Sequence, residues 1–127
     1  MRNFIISTVC LIMIIGIWTC FHIYSSDKTD YYKSELDIII FEYVNEDKWP
    51  DAISAFDGMQ SDWNKYKHIA AFFLDSSALN HIDSTFEKIR FYIYASDKSN
   101  SSGELAYLKG LFESLHKNES LNMENLF

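Results

Sequence analysis

Two kinds of hydrophobic pattern divide the chain. From Phe4 to Tyr24 (FIISTVCLIMIIGIWTCFHIY) no Asp, Glu, Lys or Arg occurs. At ~1.5 Å of rise per residue this run makes a helix about 31 Å long, matching a bilayer hydrocarbon core of roughly 30 Å. Beyond it the pattern becomes amphipathic. Trp49, Ala52, Phe56, Met59, Trp63, Tyr66, Ala70 and Phe73 are spaced alternately three and four apart, which draws one stripe along a helix. The spacing predicts a helix over about 48–74, with Asp47 as its N-cap and Pro50 in the first turn, where a missing N–H costs little.

The polar turn Asp75-Ser76-Ser77 precedes a second stripe, Leu79, Ile82, Phe86, Ile89 and Ile93, whose helix is expected to end near Ser96. Asp97 to Gly103 is the most polar stretch and reads as a loop with at most a poorly stable first helical turn. Leu105, Leu108, Leu111, Phe112 and Leu115 mark a third stripe, ending near His116. Upstream, Tyr32, Leu36, Ile39 and Tyr43 repeat the helical spacing, and Ile40 and Val44 widen that face. Nothing between Tyr24 and Tyr32 breaks a helix running out of the apolar run. Ile38-Ile39-Ile40-Phe41 alone also fits a short buried strand, but its flanks are helical and no second strand is evident.

These elements predict an all-α protein: an N-terminal transmembrane helix followed by an antiparallel, up-and-down bundle of three to four helices. The expected divisions are a membrane anchor over 1–25, a bundle over 26–117 and an apolar C-terminal tail over 118–127. With 4 Gly and 1 Pro, the chain lacks the turn residues that an all-β fold needs. Aromatic residues make up 17%, enough to fill a small core, since each buried ring removes ~150–250 Å² from water. Trp49, Trp63, Tyr66 and Tyr92 are the expected core anchors, or alternatively the walls of a pocket for a small apolar or cationic molecule.

Charge places the chain. The formal charge of −7 argues against nucleic acid as a partner, because phosphate neutralisation needs clustered Lys and Arg. Arg2 precedes the apolar run, whereas Asp27, Lys28 and Asp30 follow it. The positive-inside tendency then puts the N-terminus in the cytoplasm and the rest outside, held at the cell membrane through residues 4–24. The run exceeds the ~7–15 residues of a cleavable signal core, so an uncleaved signal anchor is expected. Cleavage near Ser25 or Ser26 is the alternative. A lipoprotein reading is weaker, since Thr19 precedes Cys20 where a small residue is wanted. Cys10 and Cys20 both lie inside the run, so the exported part has no internal disulfide.

Motifs for chemistry are sparse. No Gly-rich phosphate loop and no nucleophile elbow can be written, so neither a cofactor nor an enzyme activity is expected. His81, Asp83 and His116 could meet as a metal site if helix ends are juxtaposed. Otherwise His116 is favoured by a helix dipole, and His81 and Asp83 are solvated first-turn residues. The pairs Glu46/Asp47 and Asp57/Asp62 read as solvated charge on loop ends and polar faces, with no acid–base cue. The C-terminus finishes on apolar side chains: Leu121, Met123, Leu126 and Phe127 fold back on the bundle, or Asn125, Leu126 and Phe127 form a docking end for a partner.

Several segments together resemble a domain-of-unknown-function family numbered 4363. They are Asn45-Glu46-Asp47 with Trp49 and Ala52, Trp63, Ile82 to Lys98, Glu104-Leu105-Ala106 with Leu108-Lys109, and the ending Leu121 to Phe127. The resemblance implies a small bacterial protein with one membrane helix and a helical exported domain. It also implies a multi-pass membrane protein as a partner in the same membrane. The chain departs from the family at Ser76 and Ser114, where histidines are usual, which weakens any metal or proton chemistry. The expected role is an accessory or scaffold subunit of a bacterial envelope or membrane complex, and the alternative is an extracytoplasmic small-ligand-sensing domain.

Overall fold

The computed structural model describes the backbone of residues 1–126 and the side chains of residues 1–118. Every element among the described residues is helical. Helix α1 (Arg2–Ile38) passes directly into a wider, π-helical turn, Ile39–Val44. Helices α2 (Trp49–Ala70), α3 (Ser76–Tyr94) and α4 (Lys98–Leu126) follow. Packing joins α1 to α2, α2 to α3, α3 to α4 and α4 back to α1. That closed ring of neighbours is the up-and-down bundle that the stripes predict.

Helix α1 does two jobs. Its first half stands clear of the bundle, with Phe4 at 73% exposure and Ile12 at 63%. From Phe21 onward its stripe turns inward, and Phe21, Tyr32 and Leu36 join the core. The strand alternative for Ile38–Phe41 is excluded: Asn45 N–H donates to the Ile40 carbonyl at 3.0 Å, five residues back. On a regular α-helix Ile39 and Val44 would point about 140° apart. The wider turn brings both onto the buried face, each fully enclosed.

The two turns at the far end of the bundle share one geometry without a glycine. Lys48 N–H reaches the Tyr43 carbonyl at 2.7 Å and Asp47 N–H reaches Val44 at 3.2 Å. Asp97 N–H reaches Tyr92 and Ser96 N–H reaches Ile93, both at 3.0 Å. This pattern needs a left-handed residue before the chain turns away, and Asp47 (φ 58°) and Ser96 (φ 56°) take that role. Asp47 is therefore not the N-cap of α2. That position falls to Lys48, without a side-chain bond, and Pro50 occupies the first turn as expected.

Polar residues 97–103 are helix, not loop. Asp97 Oδ1 accepts from the Asn100 backbone N–H at 3.1 Å, and Oδ2 accepts from its side-chain amide at 2.7 Å. That cap starts α4 at once, and Ser101 is already fully buried. Helix α4 also runs past His116 to Leu126. At the opposite end, Asp75 caps α3 by accepting from Ser77 N–H at 3.3 Å.

Two substitutions probe these turns. Ser96→Gly relieves the left-handed strain of an exposed residue and is expected to stabilise the fold by about 0.5–1 kcal/mol in urea unfolding of the full chain in detergent. Asp97 is held below the usual carboxylate range, first by the Asn100 side-chain hydrogen bond and then by its backbone N–H. A lowered folded value means the cap's contribution is complete above the ordinary carboxylate range and is lost as pH falls through the folded value. Asp97→Asn is expected to flatten the acid side of the melting-temperature profile below about pH 4, and an unchanged acid slope would contradict it.

Candidate functional site

The core stripes carry three aromatic residues with polar tips, Tyr32, Trp63 and Tyr66, all essentially enclosed. A buried O–H or N–H needs an acceptor, and each finds one on a neighbouring helix. Tyr32 donates to Asp62 Oδ2 at 2.8 Å, tying α1 to α2. Lys28 donates to both Asp62 oxygens at 2.9 Å and lies 5.7 Å from the Tyr24 ring centre. Trp63 donates its indole N–H to Asp83 Oδ1 at 2.7 Å, tying α2 to α3, and Lys67 bonds the same carboxylate. Tyr66 donates to Ser25 Oγ at 2.7 Å.

Burial and the Asp62 hydrogen bond push the Tyr32 hydroxyl far above its ordinary value, so it stays a donor at any physiological pH. Burial works against the Lys28 ammonium, but the hydrogen bond and charge of Asp62 outweigh it and leave its pKa raised. Toward the far end, Arg90 bonds Gln60 and lies 3.3 Å from Asp57, which also accepts from Tyr94 at 3.0 Å. Lys109 closes α4 onto α1 through Asp37 at 2.9 Å.

Of the four expected aromatic anchors, two sit at the centre. The Trp63 ring centre lies 5.7 Å from Tyr66, 5.5 Å from Phe112 and 6.0 Å from Phe86. Trp49 packs on the rim of this core at the start of α2, and Tyr92 is half-buried on α3. Trp63 and Tyr66 thus occupy packed space instead of lining an open cavity. The docking residues Asn125, Leu126 and Phe127 lie outside the residues whose side chains are described.

The histidine cluster does not assemble. His81 Nε2 lies 2.6 Å from the Tyr107 hydroxyl, whereas the His116 ring stacks on His22 with centres 5.9 Å apart. Asp83 is not a solvated first-turn residue: it accepts from Trp63 and Lys67 on the neighbouring helix. Among the described residues, no group of three or more His, Cys, Asp or Glu is placed to hold a metal ion. Asp62 is likewise no idle surface charge. The signal for both carboxylates was the polar tips of Tyr32 and Trp63 within apolar stripes, which demand acceptors on adjacent helices.

An open groove of about 500 Å³ runs between α3 and α4 near the start of α3. Asp75, Asn80, His81, Ser84 and Ser114 supply its polar wall, and Ile82, Leu111 and Leu115 its apolar part. Hydroxyl, amide and imidazole groups there can exchange hydrogen bonds with a small polar group. Ser114 and Asp75 both line this groove, at the end of the bundle where α3 starts with Ser76.

Among the described residues the architecture is a four-helix bundle carried on one helix long and apolar enough to cross a membrane. Most of that helix's apolar window is exposed, unlike the core helix of a soluble protein. It is compatible with a single-pass membrane anchor. The chain belongs to the family described as Domain of unknown function (DUF4363), whose model matches residues 20–126. The match begins at Cys20, so it takes in the bundle and leaves out most of the apolar rod. No curated protein and no solved structure matches the chain.

The Tyr32–Asp62 tie can be weighed directly. Asp62→Ala leaves a buried hydroxyl without its acceptor and is expected to cost about 1–3 kcal/mol of stability. In a Tyr32→Phe background that cost is expected to shrink, because the orphaned donor is gone. Urea melts of the two single variants and the double variant supply the cycle, and strictly additive losses would show that the groups are not coupled.

Proposed function

We propose that the protein is a membrane-anchored, extracytoplasmic helical subunit that serves as an accessory or scaffold in a bacterial envelope or membrane complex, with binding and not catalysis as its role. The observation that carries this reading is the filled aromatic core, with Trp63 and Tyr66 at its centre and their polar tips bonded across helices. Such an interior is used for holding shape, which leaves the outer faces for recognition. Those faces include exposed Phe91 and Tyr94 beside Arg90, and exposed Phe41 on the π-helical turn. The apolar half of α1 supports the anchor, and Arg2 before it supports a cytoplasmic N-terminus. A multi-pass membrane protein fits the partner role, because one anchored in the same bilayer meets this domain at high effective concentration.

Two measurements in intact cells test the proposal. In a Cys10→Ser, Cys20→Ser background, Ser61→Cys is expected to react with a membrane-impermeant maleimide before the cells are opened. Labelling only after permeabilisation, or a mature chain beginning near Ser26 and free in the medium, would overturn the anchored topology. A photoreactive phenylalanine at position 91 is expected to give one discrete adduct with an integral membrane protein. Recovery of the uncrosslinked monomer alone would overturn the scaffold role.

A further inference from the structure

Among the described residues, the most exposed large apolar side chain of the bundle is Phe72, at 85%, in the turn between α2 and α3. Ile69, three residues earlier and on the same helical face, is 45% exposed. From Ile69 to Leu74 (IAAFFL) the chain carries no polar side chain at all. In a loop at the free end of a soluble bundle this would be a costly exposure.

The turn is not at the free end. The Phe73 ring stacks on Phe21 with centres 4.1 Å apart and meets Trp18 edge-on at 5.3 Å. Trp18 and Phe21 both belong to the uncharged run Phe4–Tyr24. Trp18 lies six residues short of the end of that run, about 9 Å along the helix axis. If the bilayer takes up the run, the α2–α3 turn reaches into the level of its outer boundary. The turn is also stiff: Phe72 N–H bonds the Ile69 carbonyl, Phe73 N–H and Leu74 N–H bond that of Ala70, and Asp75 caps the next helix. Lys65, Lys67 and His68 stand just before it on α2, so charge resumes where the apolar segment stops.

We propose that this turn is a second membrane contact, with Phe72 and Ile69 seated in the interfacial layer of the same bilayer that α1 crosses. The partner is a lipid surface. The inference rests on the anchored reading given above and adds to it: the bundle is held at two points, not swung from one stalk. Trp18 and Tyr24 then stand near the water boundary, the usual place for such rings. Two contacts on a rigid body fix its tilt against the membrane.

The test uses the full chain in phosphatidylcholine vesicles, with one nitroxide per variant and collision measured against oxygen and a water-soluble nickel chelate. The label sits at position 72 (Phe72→Cys) or position 91 (Phe91→Cys), each with Cys10→Ser and Cys20→Ser, or on native Cys10 with Cys20→Ser alone. Both substituted phenylalanines are exposed, so the core is left intact. Position 91 lies near the opposite end of α3 and serves as the aqueous reference. The expected result is an oxygen-to-nickel collision ratio several-fold higher at position 72 than at position 91, with Cys10 higher still. A ratio at 72 equal to that at 91, with Cys10 shielded from nickel, would overturn the second contact and leave the anchor standing. Low collision with both reagents at 72 would mean that protein covers the turn, which also overturns it. Nickel access at Cys10 itself would remove the anchored reading and this inference together.

Discussion

Helix α1 has no joint between its apolar rod and its bundle half, and the remaining architecture hangs on that continuity. Backbone hydrogen bonds run without interruption from Arg2 to Ile38 and on into the π-helical turn. Among the described residues, the buried face of this single rod begins at Phe21, and α2 and α4 pack against it. The bundle cannot rotate independently of the apolar segment without breaking a helix. Whatever the exposed half sits in therefore sets the orientation of the other three helices.

Within the bundle, stability and register come from different sources. A buried aromatic side chain is worth roughly 4–6 kcal/mol gross from its area alone, before chain entropy is subtracted. Trp63, Tyr32, Tyr66, Phe86 and Phe112 supply much of that term around one centre. A made hydrogen bond adds only about 1 kcal/mol net, but losing its partner in a buried site costs more. The ties Tyr32–Asp62, Trp63–Asp83 and Tyr66–Ser25 thus act less as glue than as a penalty on any misaligned packing. All three start from about one turn of α2, Asp62 to Tyr66, so a slide of that helix by a turn would orphan a polar tip.

The turns show how a chain with few glycines reverses direction. Asp47 and Ser96 accept a left-handed backbone so that the last carbonyls of the preceding helices are satisfied. In the second case the next residue, Asp97, immediately caps α4. One short connection ends a helix and begins another, which is why a stretch as polar as 97–103 is helical and why Ser101 is in the core.

Periodicity alone determined that the protein is all-α, which face of each helix is buried, and where an apolar rod of membrane length lies. Those are properties of a single segment, because a stripe at three-and-four spacing and an uncharged run need no knowledge of a neighbour. The tertiary structure decided what depends on atoms brought from elsewhere. It turned Asp62 and Asp83 from surface charge into acceptors for Tyr32 and Trp63, and it sent His81 to Tyr107 and His116 to His22. It widened the helix at Ile39–Val44 to bury two side chains that a regular turn would separate. A hydrogen bond's partner and a helix's exact end are set by which groups would otherwise be left unsatisfied, and that is known only once the helices are assembled.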